Sequence, residues 1–129
     1  MVGLSDLTEI SVLNALLRNL PLQVATPYVA LHTSDPGDGA TATEVSDGGY
    51  VRKLASFPQA TSGTGVTQNS ADITFGAVQG AGYTVTFVSI WTAVSAGTML
   101  MSQALNTSKA FAIGDVPRFP AGSLTVTAS

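Results

Sequence analysis

The first stretch of the chain carries apolar side chains at helical spacing. Leucine or isoleucine recurs every three or four positions from residue 7 to residue 20, at Leu7, Ile10, Leu13, Leu17 and Leu20. Ser5 or Asp6 can cap the helix, and Pro21 ends it. We predict one amphipathic helix over about residues 5–20. Its apolar stripe must be buried. We favour burial against the rest of the chain, with another subunit as the alternative.

Beyond Pro21 the pattern becomes that of short strands separated by turn-forming residues. Strands are predicted at 27–33, 51–57, 72–75, 83–91, 98–105 and 122–127, with a weaker candidate at 109–113. The alternation over 83–91 is the clearest, so we expect that strand near the centre of a sheet. No fixed repeat is visible. The sequence predicts a mainly β, single-domain fold: an antiparallel sandwich or partly closed barrel over about residues 26–128, with one short N-terminal α-helix.

Composition narrows the possible functions. The 129 residues include only 10% charged side chains, whereas Ser and Thr make up about a fifth. A net charge of −3 leaves no basic surface for nucleic acid, so we expect no nucleic-acid partner. The absence of cysteine excludes thiolate metal sites and cysteine nucleophiles. Polar residues interrupt the N-terminal helix, so neither a targeting signal nor a membrane span is expected.

Residues with catalytic or metal-binding potential are few. His32, Ser34 and Asp35 invite a hydrolase interpretation, but neighbours on one strand point to opposite faces, which does not suit a catalytic triad. Asp35, Asp38, Glu44 and Asp47 flank a Gly-rich loop and offer oxygen ligands for a cation such as calcium. Turn formation explains Asp35 and Asp47 more simply. We therefore predict no catalytic residue, no metal site and no cofactor.

Two further features bear on the surface. Arg52-Lys53 is the only adjacent basic pair, which we interpret as solvated charge on an edge strand, or alternatively as a contact for an acidic groove of a partner. Tyr83, Phe87 and Trp91 are four residues apart and so share one strand face. We expect core or subunit interface there.

Five segments in order resemble a family of small structural proteins of tailed-bacteriophage virions. They are 28–37 (YVALHTSDPG), 44–52 (EVSDGGYVR), 69–75 (NSADITF), 114–115 (GD) and 119–126 (FPAGSLTV). Members of this group are described as tail-fibre-like or structural proteins, and related small β proteins decorate capsids. The resemblance implies a non-enzymatic component of the virion, assembled in the cytoplasm of the bacterial host.

The low charge and the mean hydropathy of +0.34 also favour an assembly protein, because such a surface is best hidden against neighbouring subunits. The leading hypothesis is a capsid decoration or cement protein, a homotrimer that binds and stabilises the shell of major capsid protein. The alternative is a tail-fibre or tail-tip protein involved in host attachment, with tail proteins as partners. The residues predicted to contact partners are Leu7, Ile10, Leu17, His32, Asp35, Asp38, Glu44, Arg52 and Trp91.

Overall fold

A computed structural model describes residues 3–22 and 26–128. Within these ranges the chain forms one α-helix, one short 3-10 turn and nine strands, so the predicted mainly β class with an N-terminal helix is confirmed. The helix is α1 (Asp6–Arg18) and the 3-10 turn is Thr41–Thr43. The strands are β1 (Gly3–Leu4), β2 (Tyr28–His32), β3 (Lys53–Leu54), β4 (Val66–Gln68), β5 (Ile73–Thr74), β6 (Tyr83–Trp91), β7 (Met99–Phe111), β8 (Arg118–Phe119) and β9 (Thr125–Thr127).

The strands form one large antiparallel sheet and two small ladders. The five-stranded sheet has the order β1-β7-β6-β2-β3, while β4 pairs with β9 and β5 pairs with β8. Strand β6 lies at the centre of the large sheet, as its alternating pattern predicts. The described strands do not close into a barrel.

The main core lies between the large sheet and the small ladders. Leu31 and Val88 of the large sheet belong to the same buried cluster as Ile73 and Phe75, and Phe119 packs against it. A second, smaller cluster joins Ala30, Trp91 and Met99. Because residues of the large sheet and of the small ladders share one buried cluster, the large sheet forms one layer and the small ladders the other.

Strand β7 is longer than the sequence predicts. It merges the strand expected at 98–105 with much of the weak candidate at 109–113. The pairing with β6 shifts between Val85 and Phe87, whose partners are Lys109 and Ala104, so four residues of β7 stand opposite one of β6. Such a bulge absorbs extra residues without ending the strand. The two- and three-residue strands β1, β4 and β8 have too few residues for a periodic signal and were not predicted.

Helix α1 begins at the predicted cap but ends at Arg18, two residues before the predicted end, so Leu20 lies beyond it. The Ser5 side chain accepts a hydrogen bond from the Thr8 amide, and Asn19 ends the helix in the left-handed conformation with φ 54°. The Ser5 hydroxyl also donates to the Met99 carbonyl at 2.6 Å, which ties the helix start to β7. None of the described helices is long and apolar enough to cross a membrane.

The position of the apolar stripe is the main departure from expectation. No residue of α1 is buried, and the large apolar side chains of the stripe are between 44% and 78% exposed. The half-buried residues of α1 are smaller: Thr8, Val12, Asn14 and Ala15. Thr8, Val12 and Ala15 share the face opposite the stripe, and α1 contacts β7. The favoured interpretation, burial of the stripe against the rest of the chain, is therefore wrong for the described structure.

Candidate functional site

A buried ion pair joins two segments that lie beside strand β2 of the large sheet. The guanidinium of Arg52 donates to both carboxylate oxygens of Glu44, each at 2.8 Å. The side chains are only 4% and 13% exposed, respectively. A bidentate pair of this kind fixes the relative orientation of the two segments as well as their charge. Arg52 is thus neither solvated charge nor a contact for an acidic partner, because its carboxylate lies in the same chain.

Tyr50 completes the surroundings of Glu44. Its hydroxyl donates to Glu44 at 2.6 Å and accepts from the Leu31 amide at 3.1 Å. Burial raises the pKa of Tyr50, and the neighbouring Glu44 carboxylate adds to that effect. Burial alone would raise the pKa of Glu44, but hydrogen bonds from Arg52 and Tyr50 hold it below its usual value. Glu44 is therefore ionised and fully engaged at neutral pH.

Arg52 also holds the loop that follows β6. Its guanidinium donates to the carbonyls of Ala93 and Ala96 at 3.1 and 2.8 Å, and it lies 3.9 Å from the centre of the Trp91 ring. Ala96 has a positive φ of 52°, which a residue with a side chain adopts only when its surroundings impose it. The cation thus uses its donors and its planar face to fix one turn of backbone.

His32 lies in a buried chain of hydrogen bonds. The Trp91 indole can only donate, so the Ser89 hydroxyl accepts from it at 2.7 Å and donates to His32 Nε2 at 2.6 Å. His32 Nδ1 then donates to the Thr43 hydroxyl at 3.0 Å, which donates to the Ala40 carbonyl at 3.3 Å. Burial lowers the pKa of His32, in keeping with this neutral arrangement.

The contact between His32 and Ser89 resembles the first half of a catalytic triad, but its burial argues for a different role. His32 is 0% exposed and Ser89 1% exposed, so a substrate cannot reach either side chain in this conformation. The Ser89 oxygen is also occupied by the indole N–H. A nucleophile must be accessible and near an oxyanion-binding site, which this serine is not. The interpretation that pairs His32 with Ser34 and Asp35 has no contact that supports it in the described residues.

The acidic residues of the Gly-rich loop act separately. Asp35 accepts from the Gly37 amide at 2.8 Å, as a turn former does. Asp47 accepts from the amides of Gln79, Gly49 and Gly80, and these hydrogen bonds lower its pKa. No group of three or more potential metal ligands is present in the described ranges. The four carboxylates thus do not converge on a shared cation.

The residues predicted to contact partners divide into two groups. Leu7, Ile10, Leu17, Asp35 and Asp38 are exposed. The side chains of His32, Arg52 and Trp91 lie in the interior, where a partner cannot reach them, and Glu44 is occupied by Arg52 and Tyr50. We therefore keep only the first group in the candidate surface.

Sequence reasoning missed Ser89, Thr43 and Tyr50 as members of the buried network. The available signals were a serine inside the apolar run of β6, and the shared strand face of Tyr50 and Arg52. Ser89 lies 57 residues from its partner His32, and Thr43 and Tyr50 lie outside the strands, where no periodic pattern fixes their contacts.

The loop at Asp38 and the start of α1 are in contact. The amide of Asp6, at the start of α1, donates to the Asp38 carboxylate at 3.3 Å. The tip of the loop that begins at Asp35 therefore lies beside the N-terminus of the helix. We call this combination of α1 and residues 35–38 the helix–loop face.

These features define a small, mainly β protein whose buried polar side chains stabilise its own loops and whose helix exposes an apolar stripe. The family described as Podophage GP4 fiber I protein gp80 matches residues 3–127, so the chain belongs to that family. A comparison with curated proteins found no match.

Membership confirms the resemblance to structural proteins of phage virions, and the protein is a virion component of that kind. The description of the family as a fiber protein favours the tail-fibre alternative over capsid decoration.

Proposed function

We propose that this protein is a structural component of the tail-fibre apparatus, where it acts through contacts with other proteins and catalyses no reaction. The observation that carries the proposal is the match of residues 3–127 to a fiber protein family. It replaces capsid decoration, the leading hypothesis from the sequence, with the alternative.

The distribution of side chains supports an assembly role. The ionisable residues with the most unusual surroundings, His32, Glu44, Tyr50 and Arg52, all hold the fold together. Large apolar side chains are instead exposed along α1 and at Leu54, Ile113 and Val116. Clustered exposed apolar side chains mark interaction surfaces more often than chance exposure does.

The helix–loop face is the candidate contact with neighbouring virion proteins. It combines the apolar stripe of α1 with the exposed carboxylates of Asp35 and Asp38. We propose copies of this chain and other tail proteins as its partners. The homotrimer predicted from the sequence stays a prediction.

The location of the protein in intact particles tests the proposal. We expect density for this chain at the tail in a cryo-EM reconstruction, and a few copies per particle by quantitative mass spectrometry. Hundreds of copies, with density on the head, would overturn the tail assignment and support capsid decoration. A loss of heat resistance in heads that lack the protein would point the same way.

A further inference from the structure

A cavity lies between the two layers of the fold, beside the bulge of β7. Its volume is about 320 Å³, and strands β2, β6, β7 and β8 all contribute to its lining. Two of its apolar lining residues belong to the buried core and three pack against that core: Leu31, Val85, Leu105, Phe111 and Phe119. A small apolar ligand in this cavity would therefore contact the core of the protein directly.

Two cations line the same cavity. Lys109 pairs with Val85 across the sheet, and cross-strand partners project from the same face, so the lysine side chain starts on the core side of β7. Arg118 of β8 is the second cation. The chain has only five lysines and arginines and a net charge of −3, so two cations at one cavity are a local excess. None of the described residues that line the cavity is acidic.

Lys109 is the cation that a ligand can use. Arg118 donates to the Asp72 carboxylate at 2.9 Å, which occupies part of its guanidinium. Within residues 3–22 and 26–128 Lys109 forms no ion pair, and it is exposed. Its flexible stem carries three donors on the ammonium group. A cation of this kind beside apolar walls suits a ligand that joins an anionic group to an apolar body.

The size of the cavity sets the size of that apolar body. An apolar cavity of about 150 Å³ holds one benzene molecule, so about 320 Å³ accommodates an apolar body roughly twice as large. Small-molecule sites in proteins combine a mostly apolar lining with a few polar groups in this way.

We propose that this cavity binds a small organic acid, an apolar chain or ring that carries one carboxylate. The apolar part lies against Leu105, Phe111 and Phe119, and the carboxylate accepts a charge-assisted hydrogen bond from Lys109. This binding goes beyond the proposed structural role and does not depend on the tail location.

The first test uses sodium octanoate as the probe and the full chain. Isothermal titration calorimetry should give a dissociation constant of about 1 mM or tighter, as expected for a ligand of this size. Two-dimensional NMR should place the largest shift changes at residues of the cavity, such as Val85, Leu105 and Phe111. Shift changes centred on α1 would mean that octanoate binds the exposed apolar stripe instead.

The second test measures the role of the charge. Lys109→Met removes the ammonium but keeps most of the apolar stem, and it should weaken octanoate binding by about 3- to 10-fold. The affinity for 1-octanol, which has the same chain length and no charge, should not change in this variant. Lys53→Met is the matched control, because Lys53 is on β3 and does not line the cavity. Lys109 is exposed, so the fold tolerates its substitution.

Three results would overturn the inference: no octanoate binding at millimolar concentration, shift changes centred on α1, or the same octanoate affinity in Lys109→Met and Lys53→Met. The last result would leave Lys109 only the role of a charge that protects a strand from edge-to-edge pairing. None of them alters the proposed tail location, because particle imaging and copy number measure that separately.

Discussion

Removal of the Arg52 guanidinium is the most direct test of the buried network. Arg52→Met keeps much of the side-chain volume and the apolar contact with Trp91, but it removes the charge and all five donors. Glu44, whose side chain is 13% exposed, then keeps only Tyr50 as a side-chain partner. The carbonyls of Ala93 and Ala96 lose their donor as well.

The expected loss is about 3–5 kcal/mol of unfolding free energy, the usual cost of leaving one member of a buried ion pair without its partner. Domains of this size have an unfolding free energy of about 5–15 kcal/mol, so the expected loss is large enough to measure and removes a large share of that stability. Urea denaturation at pH 7, followed by circular dichroism, measures it. Fluorescence of Trp91 is less suitable, because the substitution alters the surroundings of that ring directly.

The chain offers a matched control for this experiment. Arg118 and Asp72 form a pair at 2.9 Å, close to the distance between Arg52 and Glu44, but their side chains are about half exposed. Arg118→Met should therefore cost about 1 kcal/mol or less. The double substitution Glu44→Gln and Arg52→Met should cost less than Arg52→Met alone, because it leaves no buried charge unpaired. Equal losses for the two arginine variants would refute the reasoning.

Three further predictions concern other parts of the fold. Burial holds the pKa of His32 below its ordinary value of 6.5, so the unfolded state takes up a proton at a higher pH than the folded state does. The free energy of unfolding should therefore be highest above pH 6.5 and fall as the pH drops below 6.5, and His32→Gln should flatten this profile. A Cβ on Gly49 would collide with the Ala77 carbonyl, whereas one on Gly48 meets only a flexible glutamine side chain; in urea denaturation, Gly49→Ala should cost about 1–3 kcal/mol and Gly48→Ala clearly less. Ser5→Ala removes both the helix cap and the hydrogen bond to the Met99 carbonyl, and should cost about 1–3 kcal/mol with faster amide hydrogen exchange in α1. Unchanged stability and exchange would contradict this.

Local signals in the sequence were sufficient for several elements. The bounds of α1 follow from Ser5 as its cap and from the approach to Pro21, and both act within a few residues of the helix ends. The alternation of residues 83–91 identifies β6 and its central position, because a strand with neighbours on both sides needs a long regular run. The ordered motifs predict a structural protein of phage virions, and the family match over residues 3–127 confirms that class. Each of these depends on neighbours along the chain.

Contacts between distant residues were decided only by the tertiary structure. Arg52 reads as surface charge in the sequence, and its burial depends on Glu44, Trp91 and the carbonyl of Ala96, 44 residues away. His32 likewise finds Ser89 across the sheet, 57 residues away. No local pattern specifies such pairs. His32 meets Ser89 because β2 aligns with β6, and Arg52 meets its partners because the segments around β2 fold together.

The orientation of α1 shows the same division. The spacing of its leucines determines that the helix has one apolar face, since that follows from 3.6 residues per turn. Which face meets the sheet depends on the fit of the helix against β7, and there the smaller side chains, Thr8, Val12 and Ala15, allow the closer approach. The sequence by itself therefore determined an apolar stripe, and only the tertiary structure decided that the stripe faces outward.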